Sequence, residues 1–485
     1  MEALKRNTEV LLQKRPIRVL QFGGGNFLRA FSDWMIEILN EKTDFNGDVL
    51  VIKPTKRGDY KSLREQEGLF HVLLNGVEKG DVIEQIKLIS CIQQIIHPYT
   101  DWGNFIASAQ ISDLRFIISN TTESGIVYSP GEAKPVQACP KEFPAKLCYW
   151  LWARYEHFKG AEDKGCMILP LELIEQNGAK LKKNLLSYAT DWELGEGFVN
   201  WINQHNYFCD TLVDRIVSGY PLEKVNEIQT QLQVEDQLLV AGEIYHSWII
   251  KGPAHLEKEL PFAQTELNIQ LVEELDIHRQ IKVRLLNGAH TSLVPIGLLA
   301  GLELVSEAIA HPLLSIYLKG LFEKEVIPHI EYDKAYLKGF AEDVIDRFKN
   351  PHIKHQLISI SLNSTSKFVS RLLGSFKDYL QNKEALPVHI CFAWAALICL
   401  YRGEWKGKTF ALKDDPQRLD FFRSVWEKQT LDYTELVEKI LSNESIWGED
   451  MTRIPELCTA IAGFVELIDK HDMEEALTYL LNDIS

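Results

Sequence analysis

The segment that most constrains the fold is a short strand pattern that is followed at once by three glycines and then by a helical pattern. Ile17–Phe22 is predicted as a buried strand, and residues 28–36 are apolar at helical period. Strand, glycine turn and helix in this order form the first unit of a dinucleotide-binding fold. The glycines let the backbone approach a pyrophosphate, and the helix N-terminus supplies N–H donors.

The glycine turn departs from the usual fingerprint at one position, because Leu28 stands where the third glycine would be. A turn with two spaced glycines is by itself a weak signal, since some such turns are only tight bends. The flanking strand and helix nevertheless place it where a nucleotide is held. We therefore expect five residues at the turn to bind the cofactor: Phe22, Gly23, Gly25, Asn26 and Phe27.

The second predicted strand, residues 49–52, ends in basic residues rather than in an acidic one. A typical NAD site places Asp or Glu at this point to bind the ribose hydroxyls. Here the chain continues with Lys53, Lys56 and Arg57, which suit the 2′-phosphate of NADP and equally suit a solvated turn. The expected cofactor is NAD(H), and NADP(H) stays open.

Polar residues follow another buried strand pattern, residues 114–119. Side chains that leave the carboxyl end of a parallel strand lie where open α/β sheets bind their ligands. Asn120 and Glu123 are therefore candidates to contact the nicotinamide end of the cofactor. Glu123 is equally suited to cap a helix.

Further strand patterns lie at residues 166–170 and 208–216, and helical patterns dominate from about residue 268. The second of these strands carries Asp214 and Arg215 in an apolar setting, and a buried Asp–Arg pair is usually structural. The sequence thus predicts an α/β chain of two domains. We expect a Rossmann-like dinucleotide-binding domain over residues 1–275 and a mostly helical domain over residues 276–485, with one helix at 292–309.

One helical segment near the start of the second domain carries residue types that carbonyl and alcohol redox chemistry uses. Lys282, Asn287 and His290 stand at positions i, i+5 and i+8. A Lys can pass a proton, an Asn amide can hold a polarised oxygen, and a His can orient either group. The alternative is an amphipathic helix whose polar face meets water.

A second polar cluster in this domain contains cations and a histidine. Arg347, His355 and Lys367 are candidates for a clamp that holds a carboxylate, which a sugar acid would need and an uncharged polyol would not. The alternative is a surface loop that is rich in donors.

Composition and charge limit the function classes. The formal net charge of −16 argues against nucleic-acid binding, and the eight cysteines are scattered without a C-x-x-C pair, as expected for reduced thiols. The N-terminus lacks a signal-peptide pattern, and the most apolar run, residues 390–400, is too short to span a bilayer. We expect a soluble cytoplasmic protein with no membrane partner and no metal, acting on a small molecule as a monomer or small homo-oligomer.

Taken together, these motifs resemble the mannitol dehydrogenase family, the zinc-independent, polyol-specific long-chain dehydrogenases. Residues 22–31 are similar to its nucleotide turn, and residues 213–216 are similar to its Asp segment. The spacing Lys282-x4-Asn287-x2-His290 is similar to its catalytic signature, and the order of motifs fits over essentially the whole chain. The resemblance implies hydride transfer with Lys282 as general acid/base, Asn287 on the substrate oxygen and His290 as the orienting group.

Within the family, the chain most resembles members that act on hexuronates. The similarity covers further segments, namely residues 119–126, 170–174, 211–221, 242–245 and 250–253. Polyol dehydrogenases of the family carry Asp-Asn where this chain has Glu172 and Leu173, and this departure fits the uronate branch. The resemblance places Glu172 and Asp214 on the substrate side.

The reaction that the resemblance implies is the reversible reduction of the ketone of a sugar acid, tagaturonate to altronate. Fructuronate with mannonate and fructose with mannitol are the alternatives inside the family. A nucleotide-binding protein that has kept the fold and lost catalysis is the alternative from a different class. The three residues of the catalytic pattern are all present, which argues against that last alternative.

Overall fold

The computed structural model describes residues 2–7, 14–122, 124–383, 385–427 and 432–483. The chain forms two compact units. The first comprises Met1–Asn75 and Ile83–Leu275, and the second comprises Gly76–Val82 and Asp276–Ser485. Each unit buries hydrophobic side chains of its own.

A six-stranded parallel sheet forms the centre of the N-terminal unit. In spatial order its strands are Ile92–Ile96, Asp48–Ile52, Ile17–Phe22, Phe116–Ser119, Met167–Pro170 and Tyr207–Phe208. Numbered along the chain, this is the order 3-2-1-4-5-6 of a Rossmann sheet. The predicted α/β class is therefore confirmed, and each of the predicted strands that end at residues 22, 52, 119 and 170 is present.

Both faces of this sheet are buried. Leu20 and Leu50 belong to one hydrophobic core, while Val19 and Val49 belong to a second core on the opposite face. Strands that are buried on both faces are near-continuous apolar runs, which is why the sequence pattern identified them. The α-helices described in this unit begin with Asn26–Leu28, which continues through the π-helical segment Arg29–Asp33 into Trp34–Lys42. They continue with Lys61–Glu65, Trp102–Ala107, Phe143–Phe158, Asn177–Asp191, Glu196–His205, Val225–Leu232 and Leu256–Glu259.

Smaller sheets are formed mainly by residues of the N-terminal unit. One has the strands Asp210–Asp214, Ser247–Lys251 and Ile269–Val272, and another has Val217–Gly219, Val240–Glu243, Phe70–Glu78 and Asp81–Ile89. The single strand predicted at residues 208–216 is therefore divided. Its first part ends the parallel sheet, and its second part pairs antiparallel with Ser247–Lys251.

The C-terminal unit is mostly helical, as predicted. Its first helical stretch consists of Asp276–Ile281, Lys282–Asn287 and Gly288–Leu299 without a break. The longer helices that follow are Pro312–Gly320, Lys334–Phe348, Ser364–Arg371, Leu373–Asn382, Val388–Leu400, Pro416–Trp426, Tyr433–Leu441, Leu457–Lys470 and Met473–Asp483.

One helix prediction in this unit is wrong in its extent. Residues 292–309 do not form one helix, because the first helix ends at Leu299 and a new one, Val305–Ala310, follows. Gly301 has a φ of +83° between them, a backbone conformation that a helix does not contain and that glycine adopts readily.

The helix Val388–Leu400 is buried from His389 onward and begins at a buried carboxylate. Glu325 Oε1 accepts a hydrogen bond from the His389 amide at 2.7 Å, and Oε2 accepts one from the Ile390 amide at 3.0 Å. Free N–H groups at a helix N-terminus are costly to bury, and a carboxylate also complements the helix dipole. Within the described part of the chain, no helix has both the length and the apolar character that a membrane crossing requires.

A buried acid lies directly behind the glycine turn. Asp33 Oδ2 accepts a hydrogen bond from Gln21 Nε2 at 3.2 Å, and the same amide donates to the Gly23 carbonyl. Oδ1 of Asp33 is buried and has no hydrogen-bond partner among the described residues. Burial raises the pKa of the Asp33 carboxyl to about 7.

We expect Asp33→Asn to reduce the pH dependence of stability. The folded carboxyl keeps its proton up to about pH 7, whereas in the unfolded chain it ionises near 3.8. Between these pH values the folded state binds the extra proton, so the free energy of unfolding falls as pH rises. From pH 5 to pH 8 the wild type should lose about 3 kcal/mol more than the variant in urea denaturation. Exposed Asp44→Asn is the control, and equal losses in wild type and Asp33→Asn would contradict the prediction.

Candidate active site

The glycine turn approaches its neighbours closely and leaves the helix N-terminus open. Gly23 has a φ of +124°, and a Cβ at this position would lie 2.6 Å from Cδ1 of Leu28. Gly25 starts the helix and supplies no capping side chain, and a Cβ there would meet no described atom within 4 Å. The first N–H groups of the helix therefore have space for a ligand, which is the arrangement that binds phosphate groups.

The carboxyl ends of two central strands meet at this turn. Phe22 pairs with Ser119 across the sheet, and the Phe22 carbonyl accepts a hydrogen bond from the Asn120 amide at 3.2 Å. The order of the strands reverses at this pair, and open α/β sheets bind their ligands at such a point. The Phe22 ring packs on Phe143 in the core, so this residue offers only its backbone to a ligand.

The predicted residues at the start of the helix are held by contacts within its first turns. Asn26 Oδ1 accepts a hydrogen bond from Arg29 Nη2 at 2.6 Å. The ring of Phe27 stacks on that of Phe31 at 4.9 Å between centroids. These contacts restrict both side chains before any ligand binds.

Glu172 shapes the loop that follows the strand Phe116–Ser119. Its Oε2 accepts a hydrogen bond from the Ser119 hydroxyl at 3.0 Å, and its Oε1 accepts two from the amide and hydroxyl of Thr121, each at 2.9 Å. Burial raises the pKa of this carboxyl. Both oxygens are thus occupied by the chain, which favours a positioning role over the substrate contact predicted from the sequence. Glu123, predicted at the nicotinamide end, lies outside the described residues.

Lys53, at the end of the second strand, is buried by local contacts. Its Nζ donates a hydrogen bond to the Thr55 hydroxyl at 2.8 Å and lies 4.9 Å from the centroid of the Tyr60 ring. Burial lowers the pKa of this ammonium group. Lys56 and Arg57 are exposed.

Asp214 and Arg215, which the sequence suggested as a buried pair, differ in burial: Arg215 is buried and Asp214 is partly exposed. The Arg215 guanidinium donates to three backbone carbonyls, those of Ala30, Ile244 and Tyr245. Burial lowers its pKa to about 9. Arg215 therefore ties chain segments together, while Asp214 ends the strand Asp210–Asp214.

The predicted catalytic triplet lies on the first helical stretch of the C-terminal unit, and this stretch contains a wide turn. Lys282–Asn287 has π-helical geometry. In such a turn the hydrogen bonds run from i to i+5, so the fifth residue lies above the first. Asn287 therefore lies above Lys282, and His290 follows three residues later in regular helix on the same face. In an uninterrupted α-helix Lys282 and Asn287 would point in different directions.

His290 is surrounded by residues from two later segments. Its ring centroid lies 4.3 Å from that of Phe348 and 5.2 Å from that of His355. Burial lowers the pKa of His355, and the nearby charge of Lys367 lowers it further. The structure thus brings two of the three predicted clamp residues, His355 and Lys367, into the neighbourhood of His290.

The third predicted clamp residue, Arg347, has an acidic neighbour. It is buried near the end of the helix Lys334–Phe348. Burial raises the pKa of Asp343 on the same helix to about 6, and the charge of Arg347 opposes that rise. Part of the Arg347 charge is therefore balanced within its own helix.

Sequence reasoning missed one residue in this neighbourhood. Arg371 Nη1 donates a hydrogen bond to the hydroxyl of Thr291, the residue after His290, at 3.4 Å. Arg371 stands four positions after Lys367 on the helix Ser364–Arg371, so the two share a helix face. The four-residue spacing from Lys367 was the feature of the sequence that could have identified Arg371.

The described residues contain no group of three or more His, Cys, Asp and Glu side chains that is arranged to hold a metal ion. All eight cysteines are free thiols, and six of them are buried.

Family models match both parts of the chain. The Rossmann domain of mannitol dehydrogenases matches residues 17–264, and the C-terminal domain of mannitol dehydrogenases matches residues 274–469. Among solved structures, D-sorbitol dehydrogenase in substrate-free form has a TM-score of 0.77 at 20% identity, with 95% of each chain covered. Mannitol 2-dehydrogenase of Pseudomonas fluorescens, solved with NAD and D-mannitol, has a TM-score of 0.63 at 19% identity, with 99% of this chain and 96% of that chain covered. These two similarities concern the fold.

Curated relatives are similar over nearly their full length. Altronate oxidoreductase of Bacillus subtilis (strain 168) is 41% identical over 478 residues, which are 98% of each chain. Altronate oxidoreductase of Escherichia coli O7:K1 is 39% identical over 466 residues, 95% of this chain and 96% of that protein. With both domains matched and relatives this similar, the chain belongs to the mannitol dehydrogenase family.

Proposed function

We propose that this oxidoreductase catalyses the reversible reduction of tagaturonate to altronate with NADH. Full-length similarity to proteins named altronate oxidoreductase supports the substrate pair. The observation that carries the chemistry is the wide turn, which places Lys282, Asn287 and His290 along one face of a helix.

The residues at the glycine turn fit a dinucleotide. The open N–H groups after Gly25 suit the pyrophosphate, and the close packing at Gly23 brings the Asn120 loop beside the turn. When bound, the reduced nicotinamide supplies the hydride. Lys53 already contacts the Thr55 hydroxyl and the Tyr60 ring, so it is poorly placed to bind a 2′-phosphate. This supports NADH over NADPH as the cofactor.

The chain's own residues transfer the proton and stabilise the negative charge that develops on the substrate oxygen. Lys282 gives a proton to the substrate oxygen in reduction and takes it back in oxidation. The Asn287 amide donates a hydrogen bond to the same oxygen, an interaction that strengthens as negative charge develops there. His290, whose ring lies near those of Phe348 and His355, orients the substrate.

A substrate and cofactor panel tests the proposal directly. We expect kcat/KM for tagaturonate with NADH to exceed that for fructuronate or fructose, and that with NADPH, by at least about tenfold. The measurement is NADH or NADPH absorbance at saturating cofactor. A preference for fructuronate would assign the chain to the other uronate reaction, and cofactor binding without turnover of any of these ketones would leave only the nucleotide-binding alternative.

Gly25→Asp should weaken cofactor binding without unfolding the protein. The new side chain has space, but its carboxylate would occupy the helix N-terminus and repel the pyrophosphate. We expect the Kd for NADH, followed by fluorescence titration, to rise about tenfold or more. The matched control is Gly103→Asp, another uncrowded glycine near a helix N-terminus in the same unit. Equal effects of the two variants would remove the glycine turn from the cofactor site.

Lys282→Ala should lose turnover and keep cofactor binding. General acid/base assistance is typically worth about 10²–10⁴-fold, so kcat should fall by at least about 10²-fold while the Kd for NADH stays within about twofold. Lys338→Ala, at an exposed position of the same unit, is the control. Near-normal turnover in Lys282→Ala would exclude this lysine as the proton carrier.

A further inference from the structure

A guanidinium without an acidic partner lies beside the predicted catalytic helix. Arg371 ends the helix Ser364–Arg371, is partly buried, and makes one hydrogen bond, to the Thr291 hydroxyl at 3.4 Å. It forms no ion pair with an Asp or Glu in the described part of the chain. A partly buried arginine usually has an anionic partner, because desolvation of the charge is unfavourable.

Arg371 is linked to the catalytic segment through Thr291. The Thr291 hydroxyl accepts the hydrogen bond from Arg371 and itself donates to the Asn287 carbonyl at 2.9 Å. Thr291 follows His290 directly, so the guanidinium is anchored within one helical turn of two of the proposed catalytic residues.

Two other titratable groups share the neighbourhood of Arg371. Lys367 and Arg371 form a cationic cluster, and His355, whose lowered pKa keeps its ring uncharged near neutral pH, lies beside Lys367. Lys367 Nζ donates to the Ile360 carbonyl at 2.8 Å. Burial lowers the pKa of Lys367, and the like charge of Arg371 lowers it further. The cations thus repel one another, which is unfavourable unless an anion joins them.

Asp414, the acid whose charge acts on Lys367, is occupied by other partners. Asp414 Oδ2 accepts hydrogen bonds from the hydroxyls of Thr365, at 2.9 Å, and Tyr401. The charge of Asp414 raises the pKa of Lys367, but burial and the charge of Arg371 lower it by more. In a chain of net charge −16, a cationic cluster without a carboxylate of its own is a local exception.

We infer that Arg371 binds the carboxylate of the substrate, with Lys367 as the second cation. The inference rests on the proposed function and adds to it the group that distinguishes a sugar acid from a neutral sugar. The planar guanidinium can hold a carboxylate through two parallel N–H···O bonds, which a lysine cannot reproduce. Arg347, which the sequence suggested for this role, has Asp343 as an acidic neighbour.

The test compares a charged substrate with its neutral counterpart. For Arg371→Gln we expect kcat/KM on tagaturonate to fall about 100-fold, mainly through KM, because a charge-assisted contact is lost. On tagatose, which has a hydroxymethyl group in place of the carboxylate, kcat/KM should change less than about threefold. Arg371→Lys should recover part of the loss. Arg423→Gln, an exposed arginine of the same unit, is the matched control.

Two results would overturn the inference. Equal losses on tagaturonate and tagatose would show that Arg371 only supports the fold, and unchanged kinetics on tagaturonate would show that the carboxylate is held elsewhere. If the wild type turns over no hexuronate, the proposed function fails and the binding of altronate decides the role of Arg371 separately. Calorimetry on wild type and Arg371→Gln in the presence of NAD should then show altronate binding only to the wild type, and equal binding to both would refute the carboxylate site.

Discussion

The pairing of the strands Ile17–Phe22 and Phe116–Ser119 is the constraint on which the nucleotide half of the enzyme depends. These strands are separated by almost a hundred residues of chain, yet their carboxyl ends must meet for the glycine turn and the Asn120 loop to adjoin. Buried apolar side chains on both faces stabilise the sheet, and Glu172 fixes the loop through its bonds to Ser119 and Thr121. The positions of the glycine turn and the Asn120 loop therefore depend on the apolar core on both faces of the sheet.

The N-terminal fold was predictable because its signals are local. The glycine turn, the apolar strand before it and the helical pattern after it are contiguous, and burial on both faces makes each central strand visible in the sequence. The prediction was wrong where one continuous apolar pattern in the sequence belongs to two separate elements of the structure. Residues 208–216 are one apolar run but serve two sheets, and the helix at residues 292–309 is interrupted at Gly301, whose positive φ a periodicity analysis does not register.

The candidate site was predictable in its residue types and less so in its arrangement. Lys282, Asn287 and His290 are recognisable by spacing, but their alignment depends on a wide turn that a regular helical pattern does not reveal. Arg371 was missed because its contact with the candidate helix arises from the packing of Ser364–Arg371 on Thr291, eighty positions away. Conversely, Glu172 and Arg215 carry suggestive charges, yet hydrogen bonds to the surrounding chain occupy both.

The wide turn has a consequence for which changes in chain length the enzyme tolerates. A π turn accommodates one residue more than regular α-helix, so deletion of a single residue within Lys282–Asn287 would let the segment revert to an ordinary helix. After a deletion between the lysine and the asparagine, the asparagine would stand at i+4 and the histidine at i+7 from the lysine, and an α-helix places these positions on one face. The same deletion in a regular α-helix would rotate everything after it by about 100°, so this stretch tolerates the loss of one residue better than its neighbours do.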